Sequence, residues 1–131
     1  MGESLIPLAG WRVAATPAAL EVARWPDDAL ALRLAPDEAL VITASIALDL
    51  DALDDPHAIV VRDRSWHGLW LSTADALDLI ERHADWAPPG GRPAFTQGLV
   101  AGIPAKVWLG HERALVAVAA PYAATFAARL R

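Results

Sequence analysis

Cysteine is absent from the 131 residues. That excludes disulfides, thiolate catalysis and sulfur-ligated zinc, and it is compatible with a reducing compartment, so a cytoplasmic location is the expectation. Long apolar runs are also missing. Each is short and broken by charge or proline, so no transmembrane helix is expected. The opening MGESLIPLAGW has neither a basic start nor a long apolar core, so no secretory signal is expected. Basic residues are sparse: 11 Lys and Arg against 16 Asp and Glu, a net charge of −5. They form no run, which argues against a nucleic-acid backbone as partner. Neither nucleic acid nor membrane is therefore expected to bind.

Motifs for metal and phosphate are missing as well. The four histidines (His57, His67, His83 and His111) have no H-x₃-H or H-E-x-x-H spacing. The acidic pairs Asp27-Asp28 and Asp54-Asp55 lie beside prolines at turns, without the further ligands and glycine of a calcium loop. Gly90-Gly91 is not followed by a phosphate-cradle pattern. What the chain does have is apolar residues at 55% and six tryptophans. The apolar content suffices for a core and the length fits one domain, residues 1–131.

Residues 1–17 read as an N-terminal arm without regular structure, packed through Leu5, Leu8 and Trp11. Leu20–Trp25 alternates and suggests an edge strand. Pro26-Asp27-Asp28 is turn chemistry. Leu30, Leu32 and Leu34 at period two, a Pro36-Asp37 turn and the apolar Ala39–Thr43 predict a hairpin over 29–43. Residues 46–54 are either a helix capped by Ser45 or irregular coil, since Asp is a poor interior helix former. Ala58–Val61 is continuously apolar, as in a strand buried on both faces.

His67–Leu71 follows as a central strand, with Trp66, Gly68 and Trp70 on one side and His67, Leu69 and Leu71 on the other. Ser72 or Thr73 caps the main helix, whose buried stripe is Ala76, Leu77, Ile80 and Ala84. Pro88–Pro93 is a loop. Phe95–Leu109 predicts two strands or one bent strand, with a bulge or bend near 102–104. Residues 110–113 make a hairpin loop, and Ala114–Ala119 is the partner strand. Pro121 opens a closing helix carrying Tyr122, Phe126 and Leu130. The class is α+β: an antiparallel or mixed sheet with about three helices on one face.

The stretch AIVVRDRSWHGLWLSTADALDLIERHADW resembles the core of the gamma subunit of heterotetrameric sarcosine oxidase. More distantly it is similar to the folate-binding domain of glycine-cleavage T-protein. The likeness rests on Asp63-Arg64-Ser65 after a strand, the capped helix with Asp85 beyond it, Phe95-x-x-Gly98 entering a hairpin, the last strand and helix, and LAPDEALVI upstream. It implies a folate-binding T-protein-like α+β domain. It further implies a non-catalytic assembly subunit of a complex that demethylates sarcosine oxidatively and passes a one-carbon unit to tetrahydrofolate. Flavin would belong to larger partner subunits, and this chain would bind no cofactor of its own. The alternatives are a small-molecule module for a folate-type one-carbon carrier, and self-association.

Asp63, Ser65 and His67 invite a triad reading. Along an extended segment, alternate Cα atoms stand about 6.5–7 Å apart, beyond direct hydrogen-bond reach. Bonding of Asp63 and Ser65 to backbone N–H groups at a bend outweighs catalysis. No catalytic or metal-binding residue is therefore assigned. Tryptophan is large, has a polar edge, and is enriched at interfaces. Core packing and a partner surface remain about equally consistent for Trp66 and Trp70, with pterin stacking behind both. The candidate ligand or partner surface is Asp63, Ser65, Trp66, Trp70, Trp86, Phe95 and Trp108.

Overall fold

The structure, a computed structural model, describes residues 5–49, 51 and 53–131. Its contacts divide the chain into two compact units, Leu8–Arg64 and Met1–Pro7 with Ser65–Arg131. Each is an antiparallel sheet with helical segments, so the α+β class holds. Element order alone suggests one sheet; strand pairing resolves it into two.

The unit Leu8–Arg64 contains β2 (Gly10–Ala14), α1 (Pro17–Val22), β3 (Leu30–Ala35), β4 (Glu38–Ile42) and β5 (Ile59–Asp63), in sheet order β3-β4-β2-β5. The predicted arm thus supplies a central strand, β2, paired on both sides. The Leu20–Trp25 edge strand is not formed. Pro17 sits in the first turn of α1, where its missing N–H costs nothing, and Thr16 Oγ accepts from the Ala19 amide at 3.2 Å. The helical turn buries Leu20 at 5% exposure and leaves Val22 outside at 66%, whereas a strand would put both on one face.

Val13, Leu20, Ala39, Val41 and Leu53 form this unit's core. No α-helix is found among the described residues of 46–54; 50 and 52 lie outside them. Asp49 Oδ1 accepts the Asp51 amide at 2.9 Å, a local turn that competes with helix formation. Strand β5 is an edge strand, not one buried on both faces: Ile59 is 61% and Val61 49% exposed. A continuous apolar run does not by itself distinguish the two positions, and here β5 pairs only with β2.

The second unit contains β1 (Ile6–Pro7), β6 (Trp66–Ser72), α2 (Thr73–His83), β7 (Ala94–Val100), β8 (Ile103–Leu109), β9 (Arg113–Ala119) and α3 (Ala123–Arg129), with sheet order β1-β6-β9-β8-β7. Strand β6 is central, as expected. Ser72 Oγ caps α2 by accepting the Asp75 amide at 3.0 Å. Thr73 is buried, and its hydroxyl donates to the Gly110 carbonyl at 2.8 Å, joining the helix start to the β8–β9 loop. One sheet face is filled by Leu69, Val107, Val116 and Val118, covered by Ala76, Leu79 and Ile80 of α2 and by Phe126 of α3. The break expected near 102–104 is a tight hairpin: Ala101 and Gly102 have φ of 53° and 78°, suiting a two-residue turn between Val100 and Ile103.

Candidate functional site

Alternation along β6, β7, β8 and β9 gathers the aromatic residues on the sheet face opposite the helices. The register sets Trp70 against Leu115, Leu115 against Trp108, and Trp108 against Phe95. The next row sets Gly68 against Ala117, Ala117 against Lys106, and Lys106 against Gln97. Trp70 and Trp108 meet edge to face, with centroids 6.5 Å apart and an interplanar angle of 74°. That geometry aligns the positive ring edge with the negative face of the neighbour.

Two cations cover this aromatic set. The Arg113 guanidinium lies 4.5 Å from the Trp70 ring centroid, and the Lys106 ammonium 4.7 Å from that of Trp66. Each contact is worth about 0.5–1 kcal/mol where solvent reaches it. Lys106 Nζ also donates to Gln97 Oε1 at 2.7 Å. Beside Trp66 lies a shallow cavity of about 340 Å³, lined among others by Gln97, Leu99, Pro104, Lys106 and Tyr122. Among the described residues, its lining includes no Asp or Glu.

Four of the seven candidate residues therefore share one surface: Trp66, Trp70, Phe95 and Trp108. Trp86 lies elsewhere. It packs against the helix-side core, and its indole N–H donates to the Leu99 carbonyl at 2.9 Å. A Cβ added to Gly98 would sit 2.6 Å from Trp86 Nε1, so the glycine of the Phe95-x-x-Gly98 motif makes room for that ring. Gly110 does the same for Trp108: its added Cβ would meet Trp108 Cη2 at 2.6 Å.

Asp63 belongs to the four-stranded sheet and faces Arg12 Nη2 at 3.3 Å. Arg12 also pairs with Glu38, so one guanidinium links carboxylates from β4 and β5 across β2. The Ser65 carbonyl accepts the Ala120 amide at 2.7 Å, fixing the entry to β6 beside the turn that opens the last helix. Lys106, Arg113 and Gln97 were not among the residues singled out from the sequence. The available signal was Lys106 two residues before Trp108, on the same strand face. Among the described residues, no group of three or more His, Asp or Glu is placed to hold a metal ion, and no helix is long and apolar enough to cross a membrane.

The fold is similar to that of a solved chain in the heterotetrameric sarcosine oxidase of Corynebacterium sp. U-96, a structure in complex with pyrrole 2-carboxylate. The TM-score is 0.66 at 22% sequence identity, covering 96% of this chain and 79% of that one. The resemblance drawn from the sequence is thus met at the level of the fold. No protein-family model matches the chain, and no curated protein matches it.

Proposed function

We propose that the chain is a non-catalytic assembly subunit of a sarcosine oxidase-like complex, in the position of the gamma subunit. The observation that carries this reading is the fold likeness over 96% of the chain to one chain of a heterotetrameric sarcosine oxidase. The side chains support it. Asp63 is engaged by Arg12, and Trp66 and Trp70 of the five-stranded sheet are capped by cations, as suits a packing surface. Larger flavoprotein subunits would bind flavin and perform oxidative demethylation in the cytoplasm, and this chain would contribute shape and aromatic area. The test is co-expression with the flavin-dependent subunits of a sarcosine oxidase-like complex. Co-purification in fixed stoichiometry, with no sarcosine turnover by the isolated chain, is the expected result. Turnover by the isolated chain that is lost in Asp63→Ala or Ser65→Ala would refute it.

A folate-type one-carbon carrier is the second reading. The cavity beside Trp66 favours it, because Lys106 suits the carrier's glutamate carboxylates and Trp66 offers a ring. The expected readout is saturable quenching of tryptophan fluorescence by tetrahydrofolate, weakened in Lys106→Ala. Quenching that does not saturate sinks this reading and leaves the first intact.

A further inference from the structure

Sheet edges offer unpaired N–H and C=O groups, and folded proteins blunt them with short strands, proline, bulges or covering groups. Among the described residues, three of the four sheet edges carry such devices. Strand β1 spans only Ile6–Pro7 and ends in proline. Strand β7 follows Pro93, and its Leu99 carbonyl is occupied by the Trp86 indole. Strand β3 shifts register between Arg33 and Ala35, and Arg33 folds back to donate to the Pro36 carbonyl at 3.1 Å. Strand β5, IVVRD, contains no proline or glycine, has its charges (Arg62 and Asp63) only at its C-terminal end, and pairs in continuous register with β2. It also presents β-branched apolar side chains to solvent, Ile59 at 61% and Val61 at 49% exposure.

We infer that β5 is a self-association edge, pairing antiparallel with β5 of a second copy about a twofold axis at Val60. An unpaired strand edge selects another extended strand, because only that returns its main-chain hydrogen bonds. Centring on Val60 sets Ile59 opposite Val61 of the other copy, and Val61 opposite Ile59, so the exposed apolar groups cover each other. Moving the centre to Val61 would set Ile59 against Asp63 and Val60 against Arg62, placing apolar groups against charges. Antiparallel pairing also lays Arg62 and Arg64 of one copy beside the turn that holds Asp54 and Asp55 of the other, matching opposite charges at both ends. The Asp55 carboxylate accepts the Thr16 and His57 amides at 2.9 and 2.8 Å, which fixes that turn. A pair of five-residue strands falls below the roughly 1,200 Å² of a standard stable interface, so the dimer is reversible and concentration-dependent.

Sedimentation velocity of the full chain from about 10 µM to about 1 mM tests it, a range suited to small, weak interfaces. The expected result is a reversible monomer–dimer equilibrium, with Val61→Lys raising the dimer dissociation constant at least tenfold. Position 61 is half exposed, so the lysine fits the monomer. A second arm uses the absence of cysteine. In Val60→Cys the two thiols meet at the axis, where opposed Cα atoms lie about 4.5–5.5 Å apart, within disulfide reach. It should cross-link under mild oxidation much faster than Val22→Cys, which is exposed elsewhere on the same unit. A chain monomeric throughout, or a dimer indifferent to Val61→Lys with no preferential cross-linking at 60, overturns the inference.

Discussion

Gly98→Ala tests how the loop after α2 is held to the sheet. The added methyl would lie 2.6 Å from Trp86 Nε1 and 2.9 Å from Cε2, well inside contact distance. Trp86 is pinned by its 2.9 Å bond to the Leu99 carbonyl and by the core beneath it, so the ring has little room to yield. Overpacking costs about 1–3 kcal/mol. Losing the indole bond adds about 1 kcal/mol. Against this, alanine in a strand gains about 0.5–1 kcal/mol over glycine through the unfolded chain. The expected net is a destabilisation of about 2 kcal/mol. Urea unfolding monitored by circular dichroism should show it as a lower midpoint. The diagnostic step is a double-mutant cycle: in a Trp86→Ala background the clash is gone, and Gly98→Ala should be neutral or mildly stabilising. Gly98→Ala that is as stable as the parent, or equally harmful with and without the Trp86 ring, would refute the reasoning.

Two smaller effects follow from the caps and turns of the other sheet. Thr16→Ala removes the acceptor for the Ala19 amide at the start of α1 and should cost about 1 kcal/mol in urea unfolding, with Thr16→Asn retaining most of it. Asp55 has its carboxyl held below the usual carboxylate range, first by the His57 amide and then by the Thr16 amide. A carboxyl lowered in the folded state stabilises above its unfolded value and loses that stabilisation as pH falls through the folded value. Asp55→Asn should therefore flatten the acid limb of the stability curve below about pH 4 while leaving its shape near neutrality unchanged. Thermal melts across pH measure this, and an acid limb as steep as the parent's would contradict it.

Local chemistry was legible wherever the cause lies within a few residues. The α2 cap at Ser72, the Pro36-Asp37 turn and the 110–113 loop all act over four residues or fewer. The α1 segment misled because a short alternating run fits both periods; Pro17 and Thr16 decided it. The candidate surface was half legible. Alternation placed Trp66 with Trp70 on one face, but Trp108 and Phe95 joined them only through pairing across β9 and β8.

The order of residues alone determined the turns at 36–37 and 110–113, the strands that flank them and the apolar side of α2, because propensity and capping act over single turns. Tertiary structure decided that β2 is central and β5 marginal, that Arg12 answers Glu38 from 26 positions away, and that Trp86 occupies the space above Gly98. Those outcomes come from strand neighbours brought together across long separations, where the choice among partners is set by competing pairings and by the volume left between packed layers.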